Sequence, residues 1–116
     1  MKAVTKIIFY DDNGEKFFGE GPARLLCLVE ETGSLRAAAL TMEMSYSKGW
    51  KIIKKAENYL GYSLIESKSG GASGGFSHLT PEAKELLTRY QGMEKELKAA
   101  TAQLFEKYFG DYLVNP

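Results

Sequence analysis

The sequence predicts a mostly α-helical fold with small β-hairpins and a long C-terminal helix. Three observations on the 116 residues lead to this fold class. An Asn-Gly pair and a glycine-rich stretch each lie between short β-branched or aromatic runs, which predicts two hairpins. Apolar residues in the middle of the chain recur at helical spacing. From Pro81 onward that spacing continues to about Phe109, which predicts a single long helix.

The composition is that of a globular domain that folds without metals or disulfides. Hydrophobic residues make up 44% of the chain and charged residues 26%, and 15 basic side chains balance 15 acidic ones. Cys27 is the single cysteine, so an intramolecular disulfide is excluded and a reducing compartment is expected. The N-terminus has too short an apolar run for a signal peptide, and no apolar stretch is long enough to span a membrane. We therefore expect a cytoplasmic protein with no membrane partner.

The N-terminal segment predicts a β-hairpin followed by a helix. Val4–Tyr10 and Lys16–Gly19 flank Asn13-Gly14, which is a strong hairpin-turn signal. Gly21-Pro22 is expected to start the first helix, because proline at the first helical position lacks an N–H that would have no partner there. Gly33 is expected to end this helix. Its predicted core residues are Leu25, Leu26 and Val29.

Two short helices joined by a tight turn follow. Ser34 is the expected cap of Leu35–Leu40, and Ser45 is the expected cap of Tyr46–Leu60, which Gly61 ends. Thr41–Met44 forms the turn between them. The stripe predicted to face the core from the longer helix is Tyr46, Gly49, Ile53, Ala56 and Leu60.

The opposite face of the longer helix carries cations and one tryptophan. In a helix-turn-helix, the second helix enters the major groove with its N-terminal residues at the base edges. Serine hydroxyls and lysine ammonium groups contact bases and phosphates. The competing interpretations are a solvated lysine face and, for Trp50, a core position. The predicted DNA-contacting residues of this helix are Ser45, Tyr46, Ser47, Lys48, Trp50, Lys51 and Lys54.

Positive charge is local, because residues 46–68 carry five lysines against two glutamates. Ser34 and Arg36, at the start of the preceding helix, are expected to touch phosphate; the alternatives are a plain cap and a solvated arginine.

After the lysine-bearing helix, Tyr62–Lys68 and Phe76–Leu79 are predicted strands around the glycine-rich loop SGGASGG. The ending of a P-loop is absent from this loop, so nucleotide binding is not expected. The predicted DNA-contacting residues of this hairpin, the wing, are Lys68, Ser69, Gly70, Gly71 and Ser73.

The final helix is predicted from Pro81 to about Phe109, with Thr80 as its cap. At 1.5 Å per residue it is about 40 Å long. Apolar residues at alternating spacings of three and four form a coiled-coil seam that one helix cannot bury alone, so a homodimer is expected. The predicted divisions are a domain over 1–80, a dimerisation helix over 81–110 and a tail over 111–116. The predicted dimer residues are Leu86, Tyr90, Met93, Leu97, Ala100 and Leu104.

Residues that could support catalysis are few. His78 is the single histidine and has no second histidine or cysteine at ligand spacing. Cys27 lies in an apolar helix and is interpreted as a small buried hydrophobe. We therefore expect no catalytic residue, no metal site and no cofactor.

Several separate motifs follow one another along the chain. They are Phe18-Gly19-Glu20-Gly21-Pro22, Thr32-Gly33-Ser34-Leu35 with Ala38-Ala39, Met44-Ser45-Tyr46 with Trp50, and Gly70-Gly71 and Gly74-Gly75 before Leu79-Thr80. In this order they resemble the N-terminal domain of ModE-type molybdate-responsive regulators, and the resemblance covers about residues 4–92. More distantly the chain is similar to the LysR-type DNA-binding domain, which shares the alanine pair, the Glu57…Leu60-Gly61 ending and the wing.

The resemblance implies a winged helix-turn-helix that dimerises through its last helix and binds a two-fold-symmetric operator. It also implies that Ser45–Lys51 and the wing around Lys68–Ser73 meet DNA. The chain ends at Pro116, so no molybdate-binding domain is expected within it and molybdate sensing is not carried over. Gly49 stands where the family commonly has alanine, and a glycine inside a helix weakens it by about 1 kcal/mol.

The expected function is that of a sequence-specific transcriptional regulator acting as a homodimer on double-stranded DNA. Residues 45–60 would lie in the major groove, and residues 68–76 would lie on the flanking backbone. The alternative is a winged-helix adaptor that binds proteins and does not bind DNA. A net charge of zero favours the adaptor.

Overall fold

The computed structural model describes residues 1–68 and 76–112, and within them it has four helices and two antiparallel two-stranded sheets. This architecture confirms the predicted fold class. The molecule measures 65 × 31 × 24 Å, and the long axis reflects the last helix. In chain order the elements are β1 (Phe9–Tyr10), β2 (Lys16–Phe18), α1 (Glu20–Thr32), α2 (Leu35–Thr41), α3 (Tyr46–Leu60), β3 (Ile65–Lys68), β4 (Phe76–Leu79) and α4 (Pro81–Phe109).

The N-terminal hairpin forms, but its first strand is shorter than predicted. The Asp11 carboxylate accepts hydrogen bonds from the backbone N–H groups of Asn13 and Glu15, at 2.9 and 2.8 Å, and Gly14 has φ 79°. Because β2 is only three residues long, the residues before Phe9 have no strand to pair with. They lie against α4 instead.

Two hydrogen bonds join this N-terminal segment to α4. The Tyr90 hydroxyl donates to the Ile7 carbonyl at 2.8 Å, and the hydroxyls of Thr5 and Thr101 are 3.0 Å apart. The Tyr90 ring also packs edge-on against Phe18, with ring centroids 5.2 Å apart. The hairpin is therefore packed onto the long helix through one buried tyrosine.

The first helix begins two residues earlier than predicted. α1 starts at Glu20, which puts Pro22 at its third position, where a backbone N–H would still have no partner within the helix and its absence in proline costs nothing. Gly33 ends the helix with φ 74°, as predicted, and its N–H donates to the Val29 carbonyl. The three predicted core residues of α1 are fully buried: Leu25, Leu26 and Val29.

Helices α2 and α3 are capped as predicted. The Ser34 hydroxyl accepts from the Ala37 N–H at 3.0 Å, and the Ser45 hydroxyl accepts from the Lys48 N–H at 3.1 Å. α2 extends one residue beyond the predicted end, to Thr41, and Glu43 turns the chain with φ 57°. α3 has the predicted bounds, and Gly61 ends it with φ 81°.

The predicted core stripe of α3 is correct except at its first position. Gly49, Ile53 and Ala56 are buried, but Tyr46 is 40% exposed because it lies on the solvent side of the first turn. Gly49 is the point of closest approach between α2 and α3. A Cβ at that position would be 3.2 Å from the Ala39 Cβ, so this glycine permits tight helix packing.

The second hairpin is fixed at its base by helices α1 and α3. Its strands pair from Ile65 opposite Leu79 to Lys68 opposite Phe76. β3 begins at Ile65 and not at Tyr62 because the peptide groups before it bond to the flanking helices. The Leu64 N–H donates to Glu57 of α3, and the Leu79 N–H donates to Glu30 of α1. The base of the wing is thereby tied to the helical core.

Helix α4 has the predicted bounds and cap, but its apolar seam is divided. Ala83, Leu87 and Tyr90 are buried inside their own chain. The prediction that Tyr90 faces a dimer partner is therefore wrong, because its ring and hydroxyl are both used in the intrachain core. Farther along the helix, Met93 is 53% exposed and Leu104 is 55% exposed.

Candidate nucleic-acid interface

The N-terminal half of α3 and its cap present two hydroxyls and two cations to solvent. Ser45 uses its oxygen as the acceptor of the cap, which leaves its hydroxyl proton free to donate. Ser47 and Lys48 follow it and are exposed, as is Lys51 one turn later. Neither of these lysines is in salt-bridge contact with a carboxylate of the described residues. Both ammonium groups are therefore available to phosphate or base acceptors.

Arg36 is held by the ring of Tyr46. Its guanidinium carbon lies 4.5 Å from the centroid of that ring, which is cation–π contact. This contact joins the exposed side of α2 to the first turn of α3. The ring orders the arginine without neutralising it, so its charge remains available to an anion.

Trp50 lies on the surface, as predicted, and not in the core. It is 45% exposed, and the ammonium of Lys54 lies 5.5 Å from its ring centroid. Lys54 also forms a salt bridge of 3.1 Å with Glu57. Lys54 therefore differs from Lys48 and Lys51, because its ammonium is already paired with a carboxylate.

A cleft of about 310 Å³ opens between α2, α3 and the wing. We call it the α3–wing cleft. Ser34 and Arg36 line it from the α2 side, and the hydroxyls of Ser67 and Ser77, 2.9 Å apart, line it from the wing. The structure thus brings five of the predicted α2 and α3 residues to one cleft, whereas Ser45, Ser47, Lys48 and Lys51 are exposed but do not line it. The predicted residues that line the cleft are Ser34, Arg36, Tyr46, Trp50 and Lys54.

The wing contributes one predicted residue that the structure describes. Lys68 is exposed at the end of β3, opposite Phe76. Ser69, Gly70, Gly71 and Ser73 lie outside the described residues. Glu57, Ser67 and Ser77 line the cleft and were not among the predicted site residues. Ser67 and Ser77 meet only through the hairpin register, which no local motif reveals.

The two residues weighed for catalysis are bound into the fold. His78 Nε2 lies 3.0 Å from a carboxylate oxygen of Glu66 across the wing. Burial raises the pKa of the Cys27 thiol, and the Gln91 amide donates to its sulfur at 3.5 Å. A raised pKa keeps the thiol protonated, and the protonated form is the weaker nucleophile. No cluster of three or more His, Cys, Asp or Glu side chains suited to a metal ion occurs in residues 1–68 and 76–112.

Helix α4 is long but not apolar in the manner of a membrane helix. In the part of the chain that the structure describes, no helix combines the length and apolar character needed to cross a bilayer. The part of α4 that extends beyond the core carries charged residues together with isolated apolar ones. The predicted dimer residues that remain accessible to a partner are Leu86, Met93, Leu97, Ala100 and Leu104.

The helix-turn-helix and wing match a known family model. Residues 23–84 match the model of the bacterial regulatory helix-turn-helix proteins, lysR family. This range extends from α1 through α2, α3 and the wing into the first turn of α4. It therefore contains every predicted DNA-contacting residue.

Individual relatives carry ModE names. The chain is 38% identical over 71 residues to the "Molybdenum transport protein ModE" of Herbaspirillum seropedicae, covering 61% of this chain and 26% of that protein. It is 31% identical over 84 residues to the protein of that name from Azotobacter vinelandii, and the match covers 72% of this chain and 31% of that protein. It is 32% identical over 72 residues to the "Transcriptional regulator ModE" of Haemophilus influenzae, and the match covers 62% of this chain and 28% of that protein.

These matches cover only a part of each relative. The chain spans between 26% and 31% of the length of these three curated relatives. The matched part corresponds to the winged helix-turn-helix described above. The chain belongs to the lysR family of bacterial regulatory helix-turn-helix proteins, and its DNA-binding domain is of the ModE type.

Proposed function

We propose that this chain regulates transcription by binding a two-fold-symmetric DNA operator as a cytoplasmic homodimer. α3 lies in the major groove, and the wing lies on the flanking backbone. The observation that carries the proposal is the exposed first half of α3. There, Lys48 and Lys51 form no salt bridge with a carboxylate of residues 1–68 and 76–112, and Trp50 between them is half exposed. An exposed tryptophan between unpaired cations suits a surface that meets stacked bases and phosphates.

The flanking residues suit phosphate contacts that set the register of α3. Arg36 is ordered by Tyr46 but keeps its charge, and Ser34 lies beside it on the α3–wing cleft. Lys68 is exposed on the wing, at the end of β3. Contacts to phosphate fix the orientation of a protein on the duplex, whereas contacts to base edges specify sequence. We assign sequence reading to Ser45, Tyr46, Ser47, Lys48, Trp50 and Lys51.

The homodimer is proposed through the exposed second half of α4. Met93 and Leu104 are each more than half exposed, and a small residue, Ala100, lies between them on the same side of the helix. A two-fold interface uses the same patch on both subunits. Two copies of α3 would then contact half-sites one helical turn apart, roughly 34 Å, or a multiple of that distance.

The molybdenum in the names of the relatives does not enter this proposal. The matches cover less than a third of each relative and coincide with the winged helix-turn-helix. No residue of the α3–wing cleft is assigned to molybdate. The effector of this chain is left unassigned, and the proposal concerns DNA binding alone.

The test is DNA binding at a series of salt concentrations, followed by selection of the bound fragments. Gel shifts with random-sequence duplexes should give an association constant whose logarithm falls linearly with the logarithm of the salt concentration. Lys51→Gln should reduce the magnitude of that slope by about 0.9, because one phosphate contact is lost. Lys107→Gln, near the far end of α4, removes the same charge and should leave the slope unchanged. Repeated selection should enrich one palindromic sequence.

The competing function is an adaptor that uses the same fold to bind proteins. Its specific support is the net charge of zero over the whole chain. Failure of the wild type to bind any duplex at low salt would favour the adaptor. Equal slopes for Lys51→Gln and Lys107→Gln would also remove α3 from the proposed interface.

A further inference from the structure

Glu57 lies at the point where α3, the wing and Lys54 meet. Its side chain is 11% exposed, although it belongs to the cleft that opens on the proposed DNA side. One carboxylate oxygen accepts the Leu64 N–H at 2.8 Å. The other oxygen lies 3.1 Å from the ammonium of Lys54. Both oxygens of one carboxylate are therefore engaged, each with a different element.

The Leu64 peptide group that Glu57 holds is also held from the opposite side. The Leu64 carbonyl accepts the Thr80 N–H at 3.0 Å, and the Thr80 hydroxyl donates to the Ser63 carbonyl at 2.7 Å. The same hydroxyl accepts the Ala83 N–H and so caps α4. This peptide joins α3, the base of the wing and the start of α4. A shift of Glu57 would move the wing relative to α3.

We propose that Glu57 is a positioning residue that fixes the wing against α3 and keeps the ammonium of Lys54 from contacting DNA phosphate. The inference rests on the proposed DNA-binding function and deepens it. By withholding one cation from non-specific phosphate attraction, Glu57 increases the share of binding that depends on base contacts by Ser45–Lys51. It therefore determines specificity without contacting a base.

The electrostatic part has a physical consequence in the salt dependence. A lysine bound to a fixed carboxylate releases no counterion on DNA binding, whereas a free lysine that reaches phosphate does. Lys48 and Lys51 are free in this sense, and Lys54 is not. The contribution of Lys54 to the salt slope should therefore depend on which residue occupies position 57.

The test compares Glu57→Gln with Glu57→Ala, each alone and combined with Lys54→Gln. Glutamine keeps an oxygen for the Leu64 N–H but has no charge, and alanine removes both functions. Glu57→Gln should bind random-sequence duplexes more tightly than the wild type, with a slope steeper by about 0.9. The ratio of its affinity for random-sequence duplex to that of the wild type should fall about 3.5-fold between about 50 mM and about 200 mM salt. Its preference for the selected sequence over random sequence should fall.

The double variants separate pairing from simple charge addition. Lys54→Gln should reduce the slope by about 0.9 in the Glu57→Gln background and by much less in the wild type. Lys51→Gln is the matched control and should reduce the slope equally in both backgrounds. The same slope change for Lys54→Gln in both backgrounds would overturn the inference.

The positioning part has a readout that needs no DNA. Amide hydrogen exchange at Leu64 should accelerate in Glu57→Ala and remain slow in Glu57→Gln, because only glutamine preserves the acceptor. Equal exchange in the two variants would overturn the positioning role. If the wild type binds no duplex at low salt, the proposed function fails and the electrostatic part fails with it. If the wild type binds and Glu57→Gln keeps the wild-type slope, the inference alone is overturned.

Discussion

Individual side chains on the exposed face of α3 differ in the kind of contact they offer to DNA. Lys51 offers a charge with no partner among the described carboxylates, whereas Trp50 offers a ring that is 45% exposed. A charge contributes through counterion release and is weakened by salt. A ring contributes through stacking and apolar contact, which salt affects little. Adjacent residues should therefore respond differently to ionic strength.

Trp50→Ala should weaken binding to the selected duplex without changing the salt slope. The loss should be about 1.5–3 kcal/mol, the magnitude for burying a large apolar side chain. Binding isotherms at several salt concentrations give both quantities in one experiment. Tyr59→Ala is a suitable control, because Tyr59 is also half exposed but packs on Phe17 away from the α3–wing cleft. A parallel change in slope for Trp50→Ala would contradict a stacking role.

Tyr90 packs from α4 against Phe9 and Phe18 of the N-terminal hairpin, and its ionisation should affect stability. Burial, followed by the negative charges of Glu94 and Glu20, raises the pKa of Tyr90 above its ordinary value of 10.0. The fold therefore favours the neutral phenol, which donates to the Ile7 carbonyl. This stabilisation is complete below pH 10.0 and is lost as the pH rises through the folded-state pKa.

Tyr90→Phe should lower the free energy of unfolding by about 1 kcal/mol at neutral pH, because one buried hydrogen bond is lost. Above pH 10.0 the wild type should lose stability faster than the variant, so the difference between them narrows. Urea unfolding of both proteins below and above that pH measures the difference in their free energies of unfolding. A constant difference across the range would contradict the pKa direction.

At the scale of the elements, close packing between α2 and α3 depends on a glycine inside α3. Gly49 lowers intrinsic helix stability, but a Cβ there would lie 3.2 Å from Ala39 and 3.8 Å from Leu25 and Leu35. Gly92 in α4 is the matched case, because a Cβ at that position meets nothing within 4 Å. The two glycines have the same helix propensity and different surroundings.

Gly92→Ala should raise the free energy of unfolding by about 0.8–1 kcal/mol, the usual difference in helix propensity. Gly49→Ala should gain less or lose stability, because the new methyl crowds Ala39 and overpacking opposes the propensity gain. Urea unfolding of both variants tests this. An equal gain at both positions would show that α2 moves away from α3 at little cost.

Much of the element order follows from local signals in the chain. Glycines at 33 and 61, and caps at 34, 45 and 80, are short-range features that mark helix ends wherever the helices pack. Tyr46 and Tyr90 were misassigned because helical periodicity gives a face but not the neighbour that covers it. The pairing of Glu57 with Leu64 joins two elements across a turn. Such contacts depend on tertiary packing, so no pattern within α3 could have predicted them.

At the scale of the whole molecule, the long helix extends beyond the domain that its first turns help to build. One side of its first three turns is buried in the core, where Ala83 and Leu87 are buried and Tyr90 is 2% exposed. Beyond them, Met93 and Leu104 remain more than half exposed. A helix with such a stripe is stabilised when a second helix covers it. The molecule is therefore expected to be dimeric through the outer part of α4.

Leu104→Glu should convert the proposed dimer to a monomer, because a charge would be buried without a partner at the interface. Light scattering over a range of protein concentrations measures the mass. Ala102→Glu adds the same charge about 160° around the helix and should leave the dimer intact. A wild-type protein that is monomeric at all concentrations would contradict the proposed interface. So would a Leu104→Glu variant that stays dimeric.

DNA is proposed to contact the first half of α3 together with the start of α2. The most direct measurement is the change in backbone amide NMR shifts as a duplex carrying the selected sequence is added. Ser45–Lys51 should show the largest changes, with further changes at Arg36 and Lys68. Changes confined to α4, or no changes at low salt, would contradict it.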